Sequence, residues 1–166
     1  MKTKVDKNYA ATTVFVVAVI LAMTILSCKH LFTAPVQWLV MANADTNQIY
    51  FEKPLEADGV FSVSYIHSVN KTNVEEYYRL ENGQLYLFKA RYRSFGAGVA
   101  TELAPGQTLR YEDGYMVIEN MHYELPSLVY KVGTVSDMLI HIGQQTWHMK
   151  ELAPSLTSVR FTVQLK

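Results

Sequence analysis

The sequence contains one cysteine, Cys28, among 166 residues. A lone cysteine cannot close an internal disulfide, so whatever folds here is held by packing. Charge is also sparse. Charged residues make up 18% of the chain, and 15 Lys+Arg offset 15 Asp+Glu to a formal net charge of +0. A chain without a basic excess lacks the electrostatic footprint that binds phosphate backbones, which excludes nucleic acid as a partner. Gly-x-Ser-x-Gly, His-Glu-x-x-His and Cys-x-x-Cys are all absent, and with them the familiar signatures of serine hydrolases, zinc proteases and thiol redox proteins. No internal repeat or low-complexity tract breaks the chain. Hydrophobic residues at 49% and aromatics at 12% exclude disorder. The length suits one domain with a real core.

Mean hydropathy is +0.02, high for a soluble domain, and the excess is concentrated at the start. Ala10 to Cys28 is a 19-residue stretch without charge, and only Thr12, Thr13, Thr24 and Ser27 interrupt its apolar residues. As a helix it would reach roughly 28 Å, enough to cross a bilayer core. Lys2, Lys4 and Lys7 precede it against Asp6 alone, which keeps residues 1–9 cytoplasmic and exports the chain beyond the apolar run. The leading expectation is an uncleaved transmembrane anchor over residues 10–28. Two other readings stand beside it: a lipoprotein signal ending in Ile25-Leu26-Ser27-Cys28, and a cleaved signal peptide. All three export the remainder, so the expected location is the inner (cytoplasmic) membrane of a bacterium, single-pass, with the C-terminal domain periplasmic.

Residues 29–35 read as a linker and residues 36–166 as an exported domain. Residues 29–166 carry 12 Lys+Arg against 14 Asp+Glu, a net of −2. From Val36 the dominant period is two, that of strands. In Val60–Val69, Phe61, Val63, Tyr65, His67 and Val69 share one face, while Ser62, Ser64, Ile66 and Ser68 share the other. A hairpin over Val74–Ser94 turns at Asn82-Gly83, a preferred two-residue loop. An unbroken register from that turn sets Tyr78 opposite Leu87, Tyr77 opposite Phe88, Glu76 opposite Lys89 and Val74 opposite Arg91. Glu76, Lys89, Arg91 and Arg93 then share one face, with Glu75 on the other beside Tyr77, Phe88 and Tyr92. A second hairpin over Thr108–Glu119 turns at Asp113-Gly114, with Tyr111 against Met116 and Leu109 against Ile118. Further strands are expected at Leu128–Val132, Met138–Ile142, Thr146–Lys150 and Val159–Leu165, with Gly143-Gln144 as a turn. Val135–His141 could hold a short helical turn. Trp38, Trp147 and most tyrosines are expected to pack the core or its rim. The expected fold is all-β, an antiparallel β-sandwich or barrel preceded by one N-terminal transmembrane helix.

Two segments are not explained by strand building: Tyr65-Ile66-His67-Ser68-Val69-Asn70-Lys71-Thr72-Asn73-Val74-Glu75-Glu76 and Ser94-Phe95-Gly96-Ala97-Gly98-Val99. Together they resemble the signature of the DUF1850 family, an aromatic-x-His-Ser-Val segment, then Pro-Val-x-Glu, then a Gly-Ala-Gly loop after a hairpin. The resemblance covers most of residues 50–166. It departs at Asn73 and Ala100, where the family commonly has proline. It implies a small membrane-anchored exported protein whose gene often lies beside a TRAP transporter of the TAXI type. Those transporters combine a solute-binding protein with a sodium-coupled permease and carry glutamate-like or other carboxylate substrates. The expected function is therefore a noncatalytic accessory or interaction module of such a transport system, with the permease or solute-binding protein as partner.

The residues allow a second reading, an extracytoplasmic domain that binds a small anion or carboxylate. Its candidate ligand-binding set is His67, Ser68, Glu75, Arg91, Arg93, Ser94, Gly96 and Gly98. Arg91 and Arg93 run directly into the glycine loop, whose backbone N–H groups could hold an anion with them; turn-forming glycines are the alternative. His67 reads as either a core or a ligand-facing histidine, and Glu75 as either half of a structural ion pair or a binding carboxylate. His67 and Ser68 are neighbours on a strand and face opposite sides, so they cannot act as base and nucleophile together. A metal-dependent enzyme would need His67, His122, His141 or His148 to converge with Glu75 or Glu76. No catalytic residue, metal site or cofactor is assigned.

Overall fold

The computed structural model describes residues 12–21, 23, 35–69, 71–93 and 102–166. The chain divides into two compact units, Met1–Pro35 and Val36–Lys166. In the first unit helix α1 spans residues 12–21. Ten helical residues rise about 15 Å, half of what a bilayer core requires. Among the described residues no helix is long and apolar enough to cross a membrane. The expected anchor extends beyond α1 on both sides, and its residues 10, 11, 22 and 24–28 lie outside the described ones. The apolar side chains of α1 are exposed around the helix: Val14 and Phe15 at 69% and Leu21 at 60%.

The second unit is all-β, as its period-two patterning predicts. Among the described residues twelve strands form two antiparallel sheets. The smaller sheet contains β1 (Gln37–Asn43), β2 (Ile49–Pro54), β9 (Leu128–Lys131) and β12 (Ser158–Leu165), in the order β2-β1-β12-β9. The larger sheet contains β3 (Val60–Ile66), β4 (Asn73–Glu81), β5 (Gln84–Tyr92), β6 (Thr108–Glu112), β7 (Tyr115–Glu119), β10 (Met138–Ile142) and β11 (Gln145–His148). Its order is β11-β10-β3-β4-β5-β7-β6, and a short strand β8 (Tyr123–Leu125) also pairs with β5. The fold is thus a sandwich of two open sheets. Leu39, Met41, Val159 and Phe161 of the smaller sheet pack with Phe61, Val63, Tyr78 and Ile140 of the larger one in one buried cluster. Phe61 stacks on both Tyr78 and Phe161, with centroids 5.2 and 6.0 Å away. Trp147 packs edge-on against Phe51.

Three predicted turns form at their predicted residues. Asn82-Gly83 and Asp113-Gly114 have positive φ at both positions, which a tight hairpin turn of that kind requires. Gly143-Gln144 joins β10 to β11. The second hairpin has the expected register, Tyr111 opposite Met116 and Leu109 opposite Ile118. The first hairpin keeps its expected register from Glu81–Gln84 through Tyr78–Leu87 and then shifts. A bulge leaves Phe88 as the extra residue, so Tyr77 faces Lys89, Glu76 faces Ala90, Glu75 faces Arg91 and Val74 faces Tyr92. One inserted residue reverses the side-chain phase of everything beyond it. Arg91 therefore shares a face with Glu75, contrary to the unbroken register.

Three further expectations change. The run Thr146–Lys150 leaves the strand at His148, and Met149–Leu152 forms a single helical turn, α2, which buries Met149 completely. Residues 135–137 form an irregular loop before β10, with no helical turn. His67 does not continue the face of Phe61 and Val63, because β3 ends at Ile66. His67 instead closes a turn in which its N–H donates to the Thr72 carbonyl (2.9 Å) and the Lys71 N–H donates to the His67 carbonyl (2.9 Å).

Candidate functional site

The core orients the larger sheet. Phe61, Val63, Glu76 and Tyr78 point toward the smaller sheet, so Ser62, Ser64, Glu75, Tyr77, Arg91 and His141 occupy the opposite, outer face. On that face Ser62 Oγ donates to Glu75 Oε1 at 2.9 Å, and Arg91 Nη1 donates to Glu75 Oε2 at 3.3 Å. Both charged side chains are largely covered, at 15% exposure for Glu75 and 26% for Arg91. Burial, and then the Glu75 charge, push the Tyr77 hydroxyl up to about 12. It stays protonated and available to the pair at neutral pH. Glu75 and Arg91 are thus an ion pair, and the positive charge of Arg91 is already met within the chain.

One strand over, Ser64 Oγ lies 2.8 Å from His141 Nε2, and His141 Nδ1 lies 2.9 Å from Thr146 Oγ1. Burial lowers the His141 pKa against a smaller opposing effect of Glu75, so the imidazole is neutral at pH 7. A hydroxyl on a neutral imidazole is the geometry of a nucleophile and its base. Here, however, Ser64 is only 6% exposed and sits in the body of a strand. The third partner is a threonine, which orients the ring but adds no charge. The chain of hydrogen bonds satisfies polar atoms that the sheet covers, which is a structural role.

The inner face holds a separate polar cluster. Tyr78 and Tyr130 hydroxyls donate to Glu76 Oε2 at 2.8 and 2.6 Å, and lie 2.5 Å from each other. Burial drives both phenols well above their usual range, which keeps them protonated donors. Tyr130 belongs to β9 and Glu76 to β4, so this carboxylate ties the two sheets together. An unbroken register would group Glu76 with Lys89, Arg91 and Arg93; its inward phase removes it from them.

Most of the remaining chemistry lies at one end of the sandwich, where β3 and β5 finish and β4, β7 and β10 begin. A groove of about 510 Å3 opens there, lined by Ser64, Tyr65, Ile66, Lys71, Thr72, Asn73, Arg93, Tyr115, Asp137 and Leu139. The Arg93 guanidinium lies 4.7 Å from the Tyr115 ring centre and that of Arg91 4.5 Å. Hydrogen bonds from Asn73 and Arg93 lower the Tyr115 hydroxyl pKa. An adjoining groove of about 660 Å3 shares Ile66, Lys71, Asp137 and Leu139 and adds His67, Ser68, Val135, Ser136, His148 and Lys150. Asp137, common to both, is engaged: its Oδ2 lies 2.6 Å from His148 Nδ1 and 3.7 Å from Lys150 Nζ. Burial opposes its ionisation, but the His148, Lys150 and Met138 hydrogen bonds and the Lys150 charge lower its pKa on balance.

The predicted ligand set is therefore divided. Arg93 lines the first groove, and His67 and Ser68 line the second. Glu75 and Arg91 pair on the sheet face, and Ser94, Gly96 and Gly98 lie outside the described residues. Among the described residues no three His, Cys, Asp or Glu side chains gather as a metal site would require. His122 stacks on Tyr86, His141 bonds Ser64 and His148 bonds Asp137. Sequence reasoning overlooks Lys71 and Tyr115. Lys71 lies inside a segment already marked as unusual, and its turn setting is the available signal. Nothing in local sequence marks Tyr115.

Residues 61–149 match the family model described as a domain of unknown function, DUF1850. No curated protein and no solved structure matches the chain.

Proposed function

Taking as premise that the chain belongs to the DUF1850 family, we propose that it is a noncatalytic accessory module of a membrane transport system, held at the inner membrane by its N-terminal segment. The observation that carries this reading is an apolar tip on the β domain. Val135 is 96% exposed, Val69 69% and Ile66 48%; Ile66, at the end of β3, and Val135, in the loop before β10, line one groove, and Val69 lies in the loop that follows β3. Large aliphatic side chains grouped on exposed loops mark a surface that another protein covers. The tip also has a defined place. Gly59, at the start of β3, abuts Gln37, at the start of β1, and β3 then runs seven residues, about 20 Å, to Ile66. The tip is therefore at the end of the β domain opposite Val36.

The N-terminal segment supports the tether. Its lysines precede an uncharged apolar run, and α1 presents Val14, Phe15, Val17, Ile20 and Leu21 outward. Anchoring would raise the effective concentration of the domain for a weak contact with a permease or its solute-binding protein. The TAXI-type TRAP transporter is the partner to test. Copurification of the full chain with the permease from mild nonionic detergent is expected, and Val135→Asp should reduce it at least fivefold. Failure to associate in the presence and absence of transported substrate would overturn the proposal. A second reading, binding of a small anion, is favoured by a separate observation, the pairing of Lys71 with Arg93 in one groove.

A further inference from the structure

From the cationic groove beside the apolar tip we infer a binding site for a small organic carboxylate, held by Lys71 and Arg93. Both residues are exposed and line the same groove of about 510 Å3. Among the described residues neither side chain has a carboxylate within ion-pair distance, in contrast to Arg91, which is matched by Glu75. The one acidic residue of the groove, Asp137, is already shared between His148 and Lys150. The site thus offers two positive charges without an internal counterion, which is the state an anion would complete.

The guanidinium of Arg93 is oriented in advance. It packs over the Tyr115 ring, 4.7 Å from its centre, which holds the fork at the groove wall. Lys71 is fixed differently. Its backbone has φ +55, a left-handed conformation uncommon for a lysine, and its N–H is tied to the His67 carbonyl. A lysine in a position that suits asparagine or glycine better carries a conformational cost, which a role for its ammonium group offsets.

The apolar lining selects among anions. Ile66 and Leu139 form part of the wall and continue into the adjoining groove, which adds Val135. A carboxylate on a short hydrocarbon body fits both features: its charge meets Lys71 and Arg93, and its methylenes lie on Ile66 and Leu139. Phosphate satisfies only the first. The inference rests on the anion-binding reading of this groove and names its ligand class; it is independent of the accessory role, because the groove would fill whether or not the domain touches a transporter.

Isothermal titration calorimetry on the full chain in nonionic detergent tests it with butyrate, succinate and inorganic phosphate. At least one of the two carboxylates should bind more tightly than phosphate. Lys71→Asn suits the left-handed backbone and keeps the turn, and should weaken binding about tenfold; Arg93→Gln should do the same. Lys71→Arg should retain most of the affinity, and unchanged melting of these variants shows that the fold is intact. No heat from either carboxylate up to 10 mM (roughly the weakest affinity of interest) would overturn the inference. So would affinity indifferent to both substitutions, or phosphate binding as tightly as the carboxylates. Loss of copurification with retained calorimetric binding would refute the accessory role alone.

Discussion

Arg91→Met gives the clearest view of how the larger sheet is held together. The substitution keeps an unbranched, apolar side chain of comparable reach but removes the guanidinium that meets Glu75 Oε2 at 3.3 Å. Glu75 would keep Ser62 at 2.9 Å yet lose its cation while 85% covered. Breaking a fully buried pair by removing one partner costs about 3–5 kcal/mol, and the residual solvent at both side chains reduces this to about 2–3 kcal/mol. For a domain of this size that corresponds to a melting temperature lower by about 6–12 °C. Differential scanning fluorimetry of the full chain in detergent reads the shift. The double variant Glu75→Gln/Arg91→Met should recover part of it, with a coupling energy of about 1–2 kcal/mol in the four-member cycle. Deleting Phe88 removes the extra residue of the bulge but keeps Leu87 opposite Tyr78 and Arg91 opposite Glu75, so the coupling should persist in that background. An Arg91→Met protein as stable as the parent, or a four-member cycle without coupling, would refute the reasoning.

Other side chains of the two polar clusters and the grooves carry expectations of their own. Tyr130→Phe removes a 2.6 Å donor to Glu76 and one of the polar ties between the sheets; urea denaturation should show a loss of about 1–3 kcal/mol, and an unchanged midpoint would count against that tie. His141 has a pKa lowered by burial, so its neutral form is the one the fold holds. That contribution is complete above the ordinary histidine pKa of about 6.5 and is lost as pH falls below it, toward the lowered folded value. Melting temperature should therefore decline more between pH 7 and 5 for the parent than for His141→Gln, and parallel curves would disprove it. Asp137 works in the acid range: its lowered pKa gives stability present above the ordinary aspartate value of about 3.9 and lost as pH falls through it. Asp137→Asn should flatten the curve there, measured by fluorescence between pH 5 and 3.

The legible part of the fold is local. Asn82-Gly83 and Asp113-Gly114 carry their turn type in two residues, and alternation in Val60–Ile66 carries its own strand face. The bulge is not legible, because nothing in Leu87-Phe88-Lys89 distinguishes an inserted residue from a paired one; cross-strand packing decides it. That single residue determines whether Glu75 and Arg91 can meet. His67 is misplaced by its pattern for a related reason: alternation continues formally through Val69, but backbone hydrogen bonds from the Lys71 turn end the strand at Ile66. Tyr130 and Glu76 are 54 residues apart in sequence and meet only when the sheets close. Of the site residues, Arg93 can be named from its position beside the glycine motif. Tyr115 enters only through the pairing of β5 with β7, which sets Tyr92 opposite Met116.

The accessory role depends on what touches the apolar tip, and crosslinking in native membranes addresses that contact directly. A photoreactive benzophenone side chain replacing Val135 should form an adduct with the permease or the solute-binding protein of the transporter. The same group replacing Val129, exposed on β9 of the smaller sheet, should not. Adducts of equal yield from both positions, or none from position 135 while the transporter is present and active, would contradict the account.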